Sequence, residues 1–252
     1  SDLSFQLEAM LRESLARNPK RVGILNLWMG PVPIVFLFRA RHVKVLLESS
    51  SLISKPTWYD RISEWIGLGL LTSTGDKWHS RRKLITPTFH FNVLKGYCEV
   101  FVAQGRVFVD QLESVADSGR EVDLFPFIKR CALDIICETA MGTQLNTQTG
   151  GSTEYCDAVT RISAIIFESF LFPWLWFTPT WYATGKGFEF DRLVRMTQSF
   201  TMKVIHERRR NMEEDGLFDD VSGIDESKSK KNVFIDMLLL RQRANALTDE
   251  DI

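Results

Sequence analysis

The sequence predicts a mainly α-helical protein with a small β region near its N terminus. Three observations carry that prediction. Apolar residues recur at three- and four-residue spacing through most of the chain downstream of Gly75. Two short runs rich in β-formers, Ile24 to Trp28 and Ile34 to Phe38, stand close together upstream. The 252 residues, 44% of them hydrophobic, suffice for one large domain with its own core.

Residues 4 to 18 place Phe5, Leu7, Met10, Leu11 and Leu15 near the spacing of an amphipathic helix, which Asn18-Pro19 ends. The two β-rich runs follow, with Met29-Gly30-Pro31-Val32-Pro33 as the connecting loop of a hairpin. A short helix is predicted from Ala40 to Leu47. The stretch from Ser49 to Thr74 is irregular, because Pro56, Gly67 and Gly69 interrupt the apolar pattern around Trp58, Tyr59 and Trp65. A basic helix starts near Asp76 and is stopped by Pro87, since the residue before proline is pushed away from helical angles.

The clearest helical stripe is Leu124, Phe127, Ile128, Cys131, Ala132, Ile135, Ile136, Thr139 and Ala140, with Asp123 as N-cap and Gly142 as stop. It predicts a core helix. Further helices are expected over Glu154 to Glu168 and Phe188 to Met212. Between them, Phe170 to Tyr182 is dense in aromatics, but two prolines and Glu168 exclude a membrane span, which needs about 20 mostly apolar residues. Glu213 to Asn232 turns polar and reads as a solvated loop within the domain. A last helix runs from Val233 to about Arg243, and Thr248 caps the start of another. The chain opens at Ser1 with neither initiator Met nor signal peptide and stops in that first turn. It is therefore read as a piece of a longer domain, cut at both ends.

Thirty-one basic and 32 acidic residues give a net charge of -1, which offers no electrostatic case for nucleic acid. Eighteen Phe, seven Trp and four Tyr point to a large apolar interior or an apolar contact surface. Cys98, Cys131, Cys137 and Cys156 lack metal-ligand spacing and are expected to be reduced, buried thiols. No GxSxG or HExxH motif is present, and His42, His79, His90 and His206 are scattered. Gly67-Leu68-Gly69 begins like a dinucleotide fingerprint but lacks its third glycine and its βαβ context.

One pair of residues carries more chemistry. Trp78 and Arg82 are four apart and so project from one helix face. An indole N–H beside a planar guanidinium makes a receptor for carboxylate oxygens. Two residues at one helical offset are a weak pattern, and on spacing alone a surface basic helix whose Trp packs inward is the favoured reading.

The segment Gly75-Asp76-Lys77-Trp78-His79-Ser80-Arg81-Arg82-Lys83-Leu84-Ile85-Thr86-Pro87-Thr88-Phe89 resembles the C-helix of cytochrome P-450 monooxygenases, with its Trp-x-x-x-Arg pair. Leu133-Asp134-Ile135-Ile136-Cys137-Glu138-Thr139-Ala140-Met141-Gly142 is similar to the E-helix of the fourth family, the fatty-acid omega-hydroxylase type. Val204-Ile205-His206-Glu207-Arg208-Arg209 resembles the end of the G-helix, and Leu247 to Ile252 the lead into the I-helix. The similarities span nearly the whole chain in family order, and an animal, insect-like member is the placement they suggest.

The resemblance implies the N-terminal portion of the cytochrome P-450 fold, with residues 1–252 forming one incomplete domain. It implies haem b as cofactor, with Trp78 and Arg82 bonding a propionate, and assigns no catalytic residue and no metal ligand to this stretch. The thiolate ligand, the oxygen-activating helix and the membrane anchor would lie outside it. For the intact enzyme it implies insertion of one oxygen atom from O2 into an apolar substrate: a fatty acid, a terpenoid hormone or a foreign compound. Electrons would come from NADPH through NADPH-cytochrome reductase, with cytochrome b5 as a second donor. The location implied is the cytoplasmic face of the endoplasmic reticulum membrane.

Residues 58 to 71 would pass over the haem and touch substrate. Residues 170 to 182 would line the substrate entrance and dip into the membrane surface, in keeping with the preference of Trp and Tyr for a water-lipid boundary. The residues alone also admit a buried hydrophobic loop there, and for the whole chain a non-catalytic helical interaction or membrane-peripheral module. Taken by itself the 252-residue chain is expected to be inactive and aggregation-prone.

Overall fold

The computed structural model describes residues 23–29, 32–117, 119–151, 153–216 and 234–243, with single positions 9, 12, 13, 16 and 247. Of the helix predicted over residues 4 to 18 only positions 9, 12, 13 and 16 are described, and these are helical; residues 217–232 of the polar stretch and the helix start at Thr248 lie outside the described residues.

Among the described residues the chain is helical apart from one antiparallel hairpin. Strands β1 (Ile24–Met29) and β2 (Val32–Leu37) pair from Ile24 opposite Leu37 to Met29 opposite Val32. Only residues 30 and 31 lie between them, so the connection is shorter than the five-residue loop expected. Pro33 is accommodated within β2 because a two-stranded sheet leaves one side of each strand without a ladder. Helix α1 (Ala40–Leu47) follows directly and is tied back to the hairpin through Gly23, whose carbonyl faces both Phe38 N (2.8 Å) and His42 Nδ1 (3.2 Å).

Helix α2 (Tyr59–Ile66) interrupts the stretch predicted to be irregular, and Gly67 ends it. Helix α3 (Gly75–Ile85) matches the predicted basic helix. Pro87 then sits inside a 3-10 turn, Thr86–Phe89, which leads through α4 (Phe91–Gly96) to the 19-residue α5 (Cys98–Ala116).

The predicted core helix is present as α6 (Phe125–Ile136), and Asp123 Oδ1 accepts from Phe125 N at 2.9 Å, one residue before the cap position. Its burial differs from the expectation. Leu124, Ile128 and Ile136 are each about half exposed (50%, 51% and 51%), while Asp134 and Cys137 are buried. The neighbours α6 has here, α5 and the turn at residues 147–149, meet it at Cys131 and Asp134, so within the stripe Cys131 is partly covered while Leu124, Ile128 and Ile136 are not. After Ile136 the helix widens into a π turn, Cys137–Met141, and Gly142 stops it in the left-handed region (φ 66°), as its position in the sequence predicts.

Two long helices form the main core. Helices α7 (Glu154–Leu171) and α9 (Lys186–Glu214) extend the predicted segments by a few residues. Between them the aromatic segment folds into a 3-10 turn, Pro173–Trp176, and the short α8 (Thr178–Ala183). Ala158, Ile162 and Ile165 from α7 pack with Leu175, Trp181, Phe190, Leu193 and Val194 in one buried cluster. A second cluster joins Ile205 and Met212 of α9 to Ile235 and Leu239 of α10 (Phe234–Arg243). There Arg208 donates Nε and Nη2 to the buried Asp236 carboxylate, at 2.6 and 2.7 Å, in a bidentate pair.

The cysteines only partly follow expectation. Cys137 and Cys156 are buried and Cys131 is half-buried, but Cys98 is exposed because it occupies the open first turn of α5. All four are free thiols.

Candidate functional site

Helix α3 begins where Thr74 takes extended angles (φ -136°, ψ 171°), followed by Asp76 in the first turn and Arg82 and Lys83 in the last. Acidic at the start and basic at the end is the charge order that suits the helix dipole. Its C terminus is fastened by Thr86 Oγ1 donating to Arg82 O at 2.7 Å. No residue of α3 is fully buried: Trp78, Arg81, Leu84 and Ile85 are half-buried, and the remaining side chains of the helix face outward.

On that helix Trp78 and Arg82 come together. The guanidinium carbon of Arg82 lies 5.0 Å from the Trp78 ring centroid, within cation–π range. The indole also meets His79 edge-on, with ring centroids 5.0 Å apart. Trp78 is half-buried and Arg82 exposed. Among the described residues, neither the Trp78 N–H nor the Arg82 guanidinium makes a hydrogen bond or ion pair. The result is a forked cation held against an aromatic face, with both sets of donors uncommitted. Such a pair suits a carboxylate brought by a bound molecule.

Asp134 accepts from Thr147 N and Oγ1, both at 2.9 Å, and from Gln148 N at 3.1 Å, and so fixes the turn after the π segment. Burial pushes the Cys137 thiol up to about 11, with Asp134 and Cys156 adding to it, and burial likewise raises Cys131 and Cys156. These three stay protonated at neutral pH and are poor metal ligands as they stand. Among the described residues no group of three or more His, Cys, Asp or Glu side chains is placed to hold a metal ion. His42 is a hydrogen-bonded structural histidine, and His206 faces outward.

The aromatic segment divides its side chains. Leu175 and Trp181 point into the core at 1% exposure, whereas Phe172, Trp174, Trp176 and Phe177 are exposed. Trp176 Nε1 donates to Ser169 O at 2.9 Å, so even an exposed ring is held in place. Among the described residues no helix is long and apolar enough to cross a membrane.

How α2 is attached leaves no sign in the sequence. Arg61 lies over the buried Trp181 ring at 4.4 Å, and Trp58 meets Phe170 with centroids 4.4 Å apart. Gln198 Nε2 on α9 donates to Trp65 O at 3.1 Å and faces Glu64 O at 3.4 Å. Partners more than 100 residues apart leave no local pattern.

The sequence profile of the family described as Cytochrome P450 matches residues 3–252. The chain belongs to the cytochrome P450 family. Among curated relatives it is 41% identical over 240 residues to "Cytochrome P450 4V2" of Pongo abelii, covering 92% of this chain and 45% of that protein. It is 34% identical over 230 residues to "Cytochrome P450 4c21" of Blattella germanica, covering 90% of this chain and 46% of that protein. The chain thus spans about half the length of the curated relatives it matches. Both carry family-four names, as the motifs imply, and the mammalian protein is more similar than the insect one. Among solved structures, a crystal structure of a cytochrome P450 named CYP102L1 superposes with a TM-score of 0.65 at 15% identity, over 91% of this chain and 49% of that one. That likeness concerns the fold: the mainly helical body with a small antiparallel sheet is that of P450 proteins.

Proposed function

We propose that this chain is the N-terminal part of a haem-thiolate monooxygenase that oxidises an apolar small molecule. The observation that carries the reading is the uncommitted donor pair Trp78 and Arg82, stacked on one helix of a P450-family chain. These two residues fit one propionate of haem b: the guanidinium fork neutralises the carboxylate and the indole adds an oriented N–H beside an apolar wall. Haem bound through a cysteine thiolate supplies activation of dioxygen and transfer of one oxygen atom into a C–H bond. The family resemblance places that thiolate in a loop beyond residue 252.

The other elements of this chain bind and shield. Residues 58–71 contact the apolar substrate, a fatty acid, terpenoid hormone or foreign compound, and help to keep water from it. The exposed rings of Phe172, Trp174, Trp176 and Phe177 rest in the surface of the endoplasmic reticulum membrane, from which such substrates partition, while Leu175 and Trp181 root the segment in the core. NADPH-cytochrome reductase supplies electrons at the cytoplasmic face, with cytochrome b5 as a second donor.

The test uses the full-length protein. Its reduced carbon-monoxide difference spectrum is expected to show the thiolate-type Soret band, and absence of that band removes the monooxygenase reading. Arg82→Ala is expected to lose haem about 10- to 100-fold faster, the range for losing a charge-assisted hydrogen bond. Haem retention equal to that of the parent protein would refute the propionate role.

A further inference from the structure

Helix α9, the longest among the described residues, buries one face and leaves the opposite one open. Phe190, Val194, Thr197 and Val204 follow the helical period and are buried. On the far side of the same turns Arg192, Arg195, Ser199, Lys203, His206 and Arg210 are all exposed and fall on one line along the helix. At 1.5 Å of rise per residue that crest is about 27 Å long. The next acid to fall on its line is Glu213, beyond its end.

The first half of the crest is the less neutralised half. Glu189 lies one turn before Arg192, but its two oxygens accept from Arg161 at 2.7 and 2.8 Å. Asp191, one turn before Arg195, is turned toward Tyr182 OH at 3.1 Å. Among the described residues Arg192 and Arg195 make no hydrogen bond or ion pair, whereas Lys203 and Arg210 face Glu207 and Glu214 at 3.9 and 3.8 Å. Unpaired guanidinium groups are costly to bury, so this face is not waiting for an apolar cover. It suits a surface of fixed negative charge.

Apolar side chains accompany the charges. Phe188 is exposed one turn before Arg192 on the same line, and Met196 and Met202 are exposed on the flanks of the crest. Basic residues interleaved with apolar ones mark a helix that lies along lipid, its charged tips among headgroups and its apolar side chains at the acyl boundary. The crest also begins close to the exposed rings of residues 172–177, with the six-residue α8 between them.

We propose that the crest of α9 lies against an anionic phospholipid surface, with Arg192 and Arg195 as its main headgroup contacts, and so decides which membranes the protein prefers. The attraction fades within a screening length of about 8 Å, which favours the unpaired arginines nearest the aromatic segment. Placing that segment in the same bilayer rests on the function proposed above. The preference of the crest for negative headgroups does not.

The experiment reconstitutes the full-length protein in vesicles of phosphatidylcholine, alone or with phosphatidylserine, that carry an acceptor dye on their headgroups. A donor dye is attached through Ser199→Cys in a Cys98→Ala background, so that the exposed native thiol does not compete. With phosphatidylserine present, energy transfer is expected to report a crest-down population raised about fivefold for each unpaired arginine, the worth of one basic side chain near an anionic leaflet. Arg192→Gln with Arg195→Gln should lose most of that rise. Arg192→Lys with Arg195→Lys should keep it, because the attraction is to charge. Salt at about 1 M, where the screening length is about 3 Å, should abolish it. Equal transfer on the two lipids overturns the proposal and leaves the aromatic contact untouched, and a rise that survives both Gln substitutions overturns the role of the crest. A full-length protein lacking the thiolate-type spectrum would remove the monooxygenase reading and leave the lipid result standing.

Discussion

A thiol buried without a basic partner is held in its neutral form, because the charge would have to form in a medium that solvates it poorly. Cys137, at 1% exposure and with the Asp134 carboxylate nearby, shows this most strongly, since its titration is pushed up to about 11. Cys98 sits in the open first turn of α5. Titrating the native chain with a disulfide reagent at pH 8 should therefore modify Cys98 first, with Cys137 and Cys156 reacting only after denaturant is added. The sign of the pH effect follows from the direction of the shift. Between the ordinary thiol value of 9.0 and about 11, an unfolded Cys137 is ionised while the folded one is not, so the folded state binds more protons there. Its contribution is fully present below pH 9 and is lost as the pH rises through 11. Equal labelling of all four cysteines in the native state would show that the packing around α6 and α7 is not as described.

At the scale of elements, α6 and the turn after it show what a hydrophobic pattern can and cannot convey. The stripe from Leu124 to Ala140 correctly predicts a helix, because a 3.6-residue period is a property of the segment alone. It does not show that Asp134 is the residue that binds this helix to the rest, since a buried carboxylate is visible only once its donors at Thr147 and Gln148 are in place. Nor does it show the π turn at Cys137–Met141, where the continuing apolar offsets of Thr139 and Ala140 fit a straight helix equally well. The hairpin was legible from β-branched and aromatic runs, whereas α2 was hidden by Pro56 before it and Gly67 and Gly69 after it. For the site, the four-residue offset of Trp78 and Arg82 put both on one face. That the guanidinium stacks on the indole and that both stay uncommitted is a matter of three-dimensional packing. Asp134→Ala provides a measure of the hidden contribution. It strands the backbone N–H groups of Thr147 and Gln148, while the Thr147 hydroxyl keeps Arg130 O as an acceptor, and should lower the stability of the full-length protein by about 3 kcal/mol in urea unfolding, given roughly 1–3 kcal/mol per orphaned buried donor. A loss below about 0.5 kcal/mol, the scale of an ordinary surface change, would mean that the turn finds other acceptors.

For the whole molecule, the deciding quantity is surface. Among the described residues the hairpin and helices α1, α5 and α6 leave a large surface exposed. Much of that surface is apolar and concentrated on particular faces: Trp28 and Val35 on the hairpin, Val45 and Leu47 on α1, Phe101 and Val109 on α5, Phe125 and Ile128 on α6. Isolated exposed hydrophobes are ordinary in soluble proteins, but several faces of this kind on one body favour association, because burying them against any apolar surface removes water at about 25 cal/mol per Å2. Their distribution also separates two kinds of apolar exposure. The rings at residues 172–177 are pinned by the core residues Leu175 and Trp181 and by the Trp176 bond to Ser169, an arrangement consistent with the lipid contact proposed above. The faces of α5 and α6 have no such local rooting. The 252-residue chain produced by itself should then bind a hydrophobic dye strongly and sediment as concentration-dependent oligomers, whereas the full-length protein in detergent should do neither. Replacing Trp174 and Phe177 by Ser should leave that self-association almost unchanged, yet reduce binding of the full-length protein to phospholipid vesicles. If those two substitutions instead made the short chain monomeric, the aromatic segment would be the main self-association surface, and its assignment to lipid would fail.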